Sequence, residues 1–141
     1  MRNRDEHGSA TLEASVLAPA LLAIMLMIAV AGRIAIAHQS VDSAAAAGAR
    51  AASISRTPTA ANTDANTVVN ATLANQGIAC ITLDITNDLT GFKTRVGEAA
   101  SVTTTVSCTV SLADLTAAGI PGSVTLTGSA SSPLDQFRER S

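Results

Sequence analysis

The longest apolar stretch of the chain lies near its N-terminus. Residues 14–32 form a run of nineteen positions without a charged side chain. A helix of that length spans roughly 28 Å, which matches the ~30 Å hydrocarbon core of a bilayer. Pro19 removes one backbone hydrogen bond and is expected to bend the helix, which membrane helices tolerate. The pattern therefore predicts one membrane-spanning helix.

The charges that flank this stretch indicate its orientation. Arg2 and Arg4 precede it, and the positive-inside rule gives little weight to the neighbouring Asp5 and Glu6. Arg33, at the far end of the stretch, argues mildly the other way. We expect a cytoplasmic N-terminus, because the long Ser- and Thr-rich remainder is typical of an exported domain.

A cleaved secretory signal peptide is the alternative interpretation of the same stretch. Residues 35–37 read Ala-Ile-Ala, which fits an A-x-A cleavage site. However, the run is longer than the usual ~7–15 residues of a signal-peptide core, and Arg33 interrupts the approach to the site. The pattern favours a retained anchor, with cleavage after Ala37 as the alternative.

Helical patterns continue beyond the apolar stretch. Residues 38–55 are rich in alanine, the residue with the highest helix propensity, and Thr57 and Pro58 are expected to end this helix. A second helix is expected from about Thr63 to Gln76, with Gly77 as its C-terminal stop.

In the C-terminal half the period of the apolar positions changes to two, which predicts strands. The alternating positions are Ile81, Leu83 and Ile85 in the first strand, Val102, Thr104, Val106, Cys108, Val110 and Leu112 in the second, and Val124, Leu126 and Ala130 in the third. The expected fold class is α+β. A long N-terminal transmembrane helix would continue into a small extracytoplasmic domain with a second helix and a roughly three-stranded antiparallel sheet.

Composition and charge narrow the possible functions mainly by exclusion. Phe92 and Phe137 are the only aromatic residues, and the net charge of −2 arises from scattered acids and bases. Nucleic-acid surfaces combine clustered cations with stacking aromatics, so no nucleic-acid partner is expected. His7 and His38 lack a metal-ligand spacing, and no nucleophile elbow, phosphate loop or dinucleotide fingerprint is present. We expect no catalytic residue, metal, cofactor or small-molecule substrate.

The sequence contains two cysteines, Cys80 and Cys108. A single pair in an exported domain favours a disulfide, worth about 3 kcal/mol in the chain-entropy model, over two buried thiols. The alternation of side chains along the strands makes this pairing difficult. Cys108 lies on the same face of its strand as the alternating apolar residues, whereas Cys80 directly precedes Ile81 and therefore points to the opposite face from it. A β-bulge, or a strand that begins after Cys80, would remove the conflict.

A second pattern lies directly before the apolar stretch. A short charged leader ends in Gly8, and four residues separate that glycine from Glu13. This arrangement resembles the prepilin processing motif of type IV pilins and pseudopilins. In those proteins a membrane peptidase cuts on the cytoplasmic side after the glycine, which here means between Gly8 and Ser9. The resemblance implies a prepilin peptidase as a partner.

The same resemblance gives Glu13 a role as the fifth residue of the mature chain. Cleavage would create an α-amine at Ser9, which is positively charged below a pKa of about 8. A neighbouring chain's carboxylate can neutralise that amine in a helical bundle, where each charge alone would be costly. Glu13 is thus the expected assembly charge. The alternative is an ordinary interfacial acid that faces lipid headgroups.

The sequence beyond the anchor makes the resemblance more specific. Residues 41–55 are similar to the alanine-rich helix of the TadE-like family, small pseudopilins of tight-adherence pilus systems, and residues 132–138 resemble the tail of actinobacterial members. The major pilin of these systems is a very short peptide that usually has Tyr after the Glu, whereas Ala14 follows Glu13 here. The resemblance implies a minor pilin or pseudopilin that packs with other pilins and pseudopilins through its N-terminal helix.

These expectations give a domain plan in four parts: a cytoplasmic leader (1–8), a membrane-spanning helix (9–37), an alanine-rich extension (38–57) and an extracytoplasmic α+β domain (58–141). The expected location is the cell membrane, with one pass and the C-terminal domain outside. The competing function is an uncleaved, membrane-anchored surface domain that binds a partner or ligand. A protein secreted after cleavage at Ala37 is a third reading.

Overall fold

The long N-terminal helix continues without interruption from the apolar stretch into the alanine-rich segment. In the computed structural model, which describes residues 7–116, 119 and 121–137, this helix is α1 (His7–Ile54). Its 48 residues correspond to roughly 70 Å at ~1.5 Å per residue. The predicted anchor and the predicted extension are therefore two parts of one helix.

Helix α2 (Pro58–Asn75) begins five residues before the expected Thr63. The Thr57 side chain accepts a hydrogen bond from the backbone N–H of Ala60, and Pro58 occupies the first turn, where its missing N–H costs nothing. Because only three residues separate the two helices, α2 returns antiparallel along α1. The residues of α2 that it buries recur at four-residue spacing: Ala61, Ala65, Val69 and Leu73.

Three antiparallel strands in the order β1-β2-β3 form the sheet, as the alternating pattern predicts. They are β1 (Cys80–Asp88), β2 (Ser101–Ser111) and β3 (Ser123–Pro133), and a 3₁₀ turn (Thr90–Lys93) lies between the first two. The second strand ends one residue earlier than expected, because Leu112 instead begins a short helix, α3 (Leu112–Thr116). The expected α+β class is confirmed.

The start of β1 differs from the expected alternation, because the strand contains a β-bulge. Cys80 pairs with Val110 and Thr82 pairs with Thr109, so Ile81 is an extra residue in the ladder. The expectation that Ile81 shares a buried face with Leu83 and Ile85 is wrong: Ile81 is 62% exposed. The bulge turns Cys80, instead of Ile81, toward the core.

The core lies where the C-terminal part of α1 meets α2 and one face of the sheet. Its larger cluster contains Ala37, Val41, Ala44 and Ala45 from α1, Val69 and Leu73 from α2, and Val106, Cys108, Val110 and Leu126 from the sheet. A smaller cluster contains Ala52, Ala61, Ala65, Phe92, Val102 and Leu134. Small side chains on α1 let the other elements approach it closely, so alanine and glycine take the place of aromatic bulk.

Candidate membrane anchor and assembly helix

The N-terminal part of α1 projects from the folded domain. Its apolar side chains are exposed, with Val16 at 72%, Leu22 at 62% and Met25 at 69%. Among the described residues, α1 alone is long and apolar enough to cross a membrane, with a mean hydropathy of 2.4 over its most apolar window. Only 6% of that window is buried by the rest of the chain. An apolar surface of this size requires a cover, and its length suits a bilayer.

The folded domain begins to cover α1 at the end of the apolar stretch. Val30 and Ile34 are partly covered, and Ala37 is buried with 1% exposure. Ile34 also packs against the larger core cluster. The boundary between the bare and the covered parts of α1 therefore falls close to Arg33, which is itself exposed.

Strand β3 crosses α1 so closely at Gly128 that a side chain there would meet Asp42. A Cβ atom added at Gly128 would lie 2.6 Å from Asp42 Oδ1 and 2.9 Å from the Asp42 backbone nitrogen and Cα. Farther from the apolar stretch, the Ser132 hydroxyl donates to the Ser53 hydroxyl at 3.0 Å. These two contacts fix how far along α1 the sheet sits.

Gly48 provides a second close approach, between α1 and α2. A Cβ at this position would lie 2.6 Å from a Val69 methyl carbon and 3.2 Å from the Thr104 methyl carbon. Sequence reasoning missed the close approach at Gly128. A signal existed for Gly128, because an isolated glycine inside a strand often marks a close backbone approach. The small residues around Gly48 already indicate close packing of this helix on its own domain, but not that α2 and β2 supply the contacts.

A polar network also secures the domain. Thr104 is fully buried, and its hydroxyl donates to Asn87 Oδ1 at 2.8 Å. The Asn87 amide nitrogen donates to Asn62 Oδ1 and Asn66 Oδ1, each at 2.9 Å. One side chain of β1 thus links α2 to β2. Sequence reasoning missed this network, because the alternating apolar positions of the first strand end at Ile85 and give Asn87 no part in the core.

Cys80 and Cys108 form a disulfide that joins β1 to β2. Their Cα atoms are 5.4 Å apart, within the usual range for a bridge. The β-bulge at Cys80–Thr82 resolves the parity difficulty, since it puts both cysteines on the core side of the sheet.

The expected processing residues lie at the start of α1. Gly8, Ser9 and Glu13 fall within its first two turns, and their side chains are outside the described part of the structure. The same holds for leader residues 1–6, so the cleavage site and the assembly charge stay predictions.

The titratable residues of the described part lie at the surface. His38 Nδ1 and Asp42 Oδ2 are 3.1 Å apart along α1, and both side chains are half exposed. Within the described residues, no group of three or more His, Cys, Asp or Glu side chains could hold a metal ion. The backbone N–H of Thr90 donates to Asp88 Oδ1 at 3.0 Å and lowers the pKa of that carboxyl group.

The comparison with known protein families addresses the same helix. Residues 8–50 match the model of the TadE-like protein family. The N-terminal helix is similar to that family. The match begins at the predicted cleavage glycine and covers almost all of α1, so the TadE-like resemblance is confirmed, while the actinobacterial subtype stays a prediction. No curated protein and no solved structure matches the chain.

Proposed function

We propose that this chain is a minor pilin or pseudopilin of a tight-adherence pilus assembly system. The observation that carries the proposal is the TadE-like match over residues 8–50, since that family points to tight-adherence pilus assembly. The match covers the helix whose apolar surface the folded domain leaves bare. In this role the helix anchors the chain in the membrane and then packs with other pilins and pseudopilins.

Processing would take place at the beginning of that helix. A prepilin peptidase cuts the Gly8–Ser9 bond on the cytoplasmic side, removes residues 1–8 and leaves Ser9 as the new N-terminus. The cut places Glu13 one helical turn beyond the new amine. Pairing between that amine and the Glu13 carboxylate of an adjacent subunit then lowers the free energy of a packed helical bundle.

The surface of α1 supports packing beyond the anchor as well. Along the covered half, one side of the helix stays open: Ala46 and Arg50 are exposed, and Ile54 is 68% exposed. The sheet and α2 occupy the other sides. A bundle of such helices can therefore form without displacing the C-terminal domain, which would face the extracytoplasmic side.

The main competing function is an uncleaved membrane-anchored surface domain that binds a partner or ligand. The structure provides no specific argument for it, whereas the TadE-like match favours the pilus role. Secretion after Ala37 is less compatible with the fold, because it would cut a continuous helix and remove Ile34 and Ala37 from the core. We propose no catalytic role for the chain.

N-terminal sequencing of the membrane-extracted protein, expressed together with a prepilin peptidase, distinguishes these functions. The pilus proposal predicts Ser9 as the first residue. A chain that starts at Met1 in the presence of active peptidase would instead favour the uncleaved surface domain. A chain that starts at His38 would identify a secreted protein.

A matched pair of substitutions controls this experiment. Gly8→Leu should block processing, because it replaces the residue at the expected cut. Gly32→Leu makes the same chemical change in the same helix, where nothing lies within 4 Å of a Cβ at Gly32. We expect Gly32→Leu to be processed like the wild type. Equal processing of both variants would contradict cleavage after Gly8.

A further inference from the structure

At one end of the folded domain, several chain segments lie beside the position at which the apolar stretch of α1 ends. We call this end the base and define it as residues 76–82, 110–116 and 121–125 of the described chain. It comprises the segment after α2, the beginning of β1, the end of β2, helix α3 and the beginning of β3. Ile34 of α1 packs against the same core cluster as Ile78, Leu115 and Val124 of the base.

Chain geometry places the base level with the end of the apolar stretch. Gly128 contacts the helix at Asp42, and Ser123 lies five residues before it along β3, a distance of about 17 Å at ~3.4 Å per residue. Ile34 lies eight residues before Asp42, or about 12 Å along the helix axis. Since the strand is inclined to the helix, its projection on the axis is shorter. The beginning of β3 is therefore about level with Gly32–Ile34.

A small cavity of about 60 Å³ confirms that separate segments meet at this end. Its lining comes from the turn after α2, from the end of β2 and from α3: Gly77, Ile78, Ala79, Val110, Asp114 and Leu115. Helix α3 also contacts α1. Leu115 of this short helix packs against the same core cluster as Ile34, and that cluster includes Ala37 of α1, so α3 lies close to the end of the apolar stretch.

Charged residues are distributed unequally between the two ends of the domain. Asp114 is the only charged residue of the base as defined above. The opposite end, residues 54–58, 88–100 and 133–137, contains six charged residues: Arg56, Asp88, Lys93, Arg95, Glu98 and Asp135. An end with a single charge is suited to an environment less polar than bulk water.

The β-bulge adds an exposed apolar side chain to the base. Ile81 is 62% exposed because the bulge gives its inward position to Cys80. Ile36, two residues beyond Ile34 on α1, is 63% exposed. Both side chains thus lie near the level at which the membrane-spanning stretch ends, and neither is covered by the described part of the domain.

We propose that the base rests on the lipid bilayer, with Ile81 and helix α3 in contact with the boundary between headgroups and acyl chains. This rests on the anchoring that the proposed function includes. Residues 14–32 fill the hydrocarbon core, so no spacer separates the bilayer from the domain. The nearly uncharged base faces lipid, and the charged end faces the aqueous phase. The contact would fix the distance of the domain from the bilayer, and its tilt relative to the bilayer, before assembly.

Single-tryptophan variants can test this proposal, because the chain contains no tryptophan or tyrosine. The full-length protein is reconstituted in phosphatidylcholine vesicles whose acyl chains are brominated, and tryptophan quenching is measured against unbrominated vesicles. Ile81→Trp probes the base, and Val96→Trp is the matched control at the opposite end, where Val96 is 57% exposed. Leu22→Trp, inside the apolar stretch, reports on anchoring itself.

The proposal predicts that bromolipid quenching is about threefold or more greater for Ile81→Trp than for Val96→Trp, since an interfacial indole reaches the acyl boundary. Equal and weak quenching of these two variants, with strong quenching of Leu22→Trp, would overturn the docking of the base and leave anchoring intact. Weak quenching of Leu22→Trp would overturn both. Circular dichroism of each variant confirms that its helix and sheet content is unchanged.

Discussion

At the residue scale, the packing of the domain depends on Gly128. A methyl group there would meet the Asp42 backbone, which cannot move without distorting α1. We expect Gly128→Ala to lower the free energy of unfolding by about 1–3 kcal/mol, the usual range for overpacking. Urea unfolding in detergent would measure it. The control is Ser129→Ala, which loses only the exposed hydrogen bond to Thr105. Equal losses for both variants would contradict this close approach.

The pair formed by Asn87 and Thr104 gives a second prediction at this scale. Asn87→Ala leaves the buried Thr104 hydroxyl without its acceptor, so we expect a loss of about 1–3 kcal/mol in the free energy of unfolding. Thr104→Val removes that hydroxyl with little change in shape. Combining the two substitutions should therefore cost less than the sum of the single losses. Strict additivity in this double-mutant cycle would refute the pairing.

Asp88 gives a prediction of pH dependence. The backbone N–H of Thr90, the largest cause, and its side chain lower the pKa of Asp88 below the ordinary value of 3.8. The ionised form therefore favours the folded state. This contribution is complete above the unfolded pKa and is lost as the pH falls through the lower folded value. Carbon-detected NMR should show the Asp88 carboxyl titrating below 3.8, and titration at or above that value would disprove the effect.

At the scale of elements, the disulfide and the β-bulge depend on each other. We expect the double substitution Cys80→Ala and Cys108→Ala to lower the free energy of unfolding by about 3 kcal/mol, the chain-entropy value for a loop of this length. A reductant should destabilise the wild type by a similar amount and leave the double variant unchanged. Urea unfolding with and without reductant measures both effects. A wild type insensitive to reductant under denaturing conditions would show that the bridge is absent.

The sequence predicted most elements of this fold because their periods are strong. The strict alternation of β2 and the charge-free run of α1 allow few other structures. The five-residue error at the start of α2 came from reading Thr57 and Pro58 only as the end of one helix, although a threonine cap followed by proline also begins one. The parity of the two cysteines already indicated either a bulge or a strand that begins after Cys80, but the regular alternation of Ile81, Leu83 and Ile85 could not decide between them.

Helix α1 also has some features that the local sequence determines and others that depend on distant parts of the chain. The apolar run, Gly8 and Glu13 are local features, so the sequence alone predicted the anchor and the processing motif. The two close approaches to α1, at Gly48 and Gly128, depend on which elements pack there, and that information is distributed over the whole chain. The sequence therefore indicated which helix would carry the proposed function, but not which of its sides stays open.

At the scale of the whole molecule, α1 connects two regions with different surroundings. Its N-terminal part exposes an apolar surface, whereas its C-terminal part forms the centre of the folded domain. The disulfide, the polar network and the sheet all stabilise the domain around the helix and leave the anchor bare. A subunit of this form can present a folded domain outside the membrane while its helix joins a bundle.

The central claim is that processing releases α1 to pack with other pilus subunits. A photoreactive residue measures this packing in cells with the complete pilus system. It is placed at Leu22, in the bare part of α1, or at Ala46, on the open side of its covered half, and Thr127, on the outer face of the sheet, is the control. We predict adducts with other pilins from both helix positions, and their loss when Gly8→Leu or Glu13→Gln is added. Adducts that persist in the Gly8→Leu background, or that form only from Thr127, would contradict the claim.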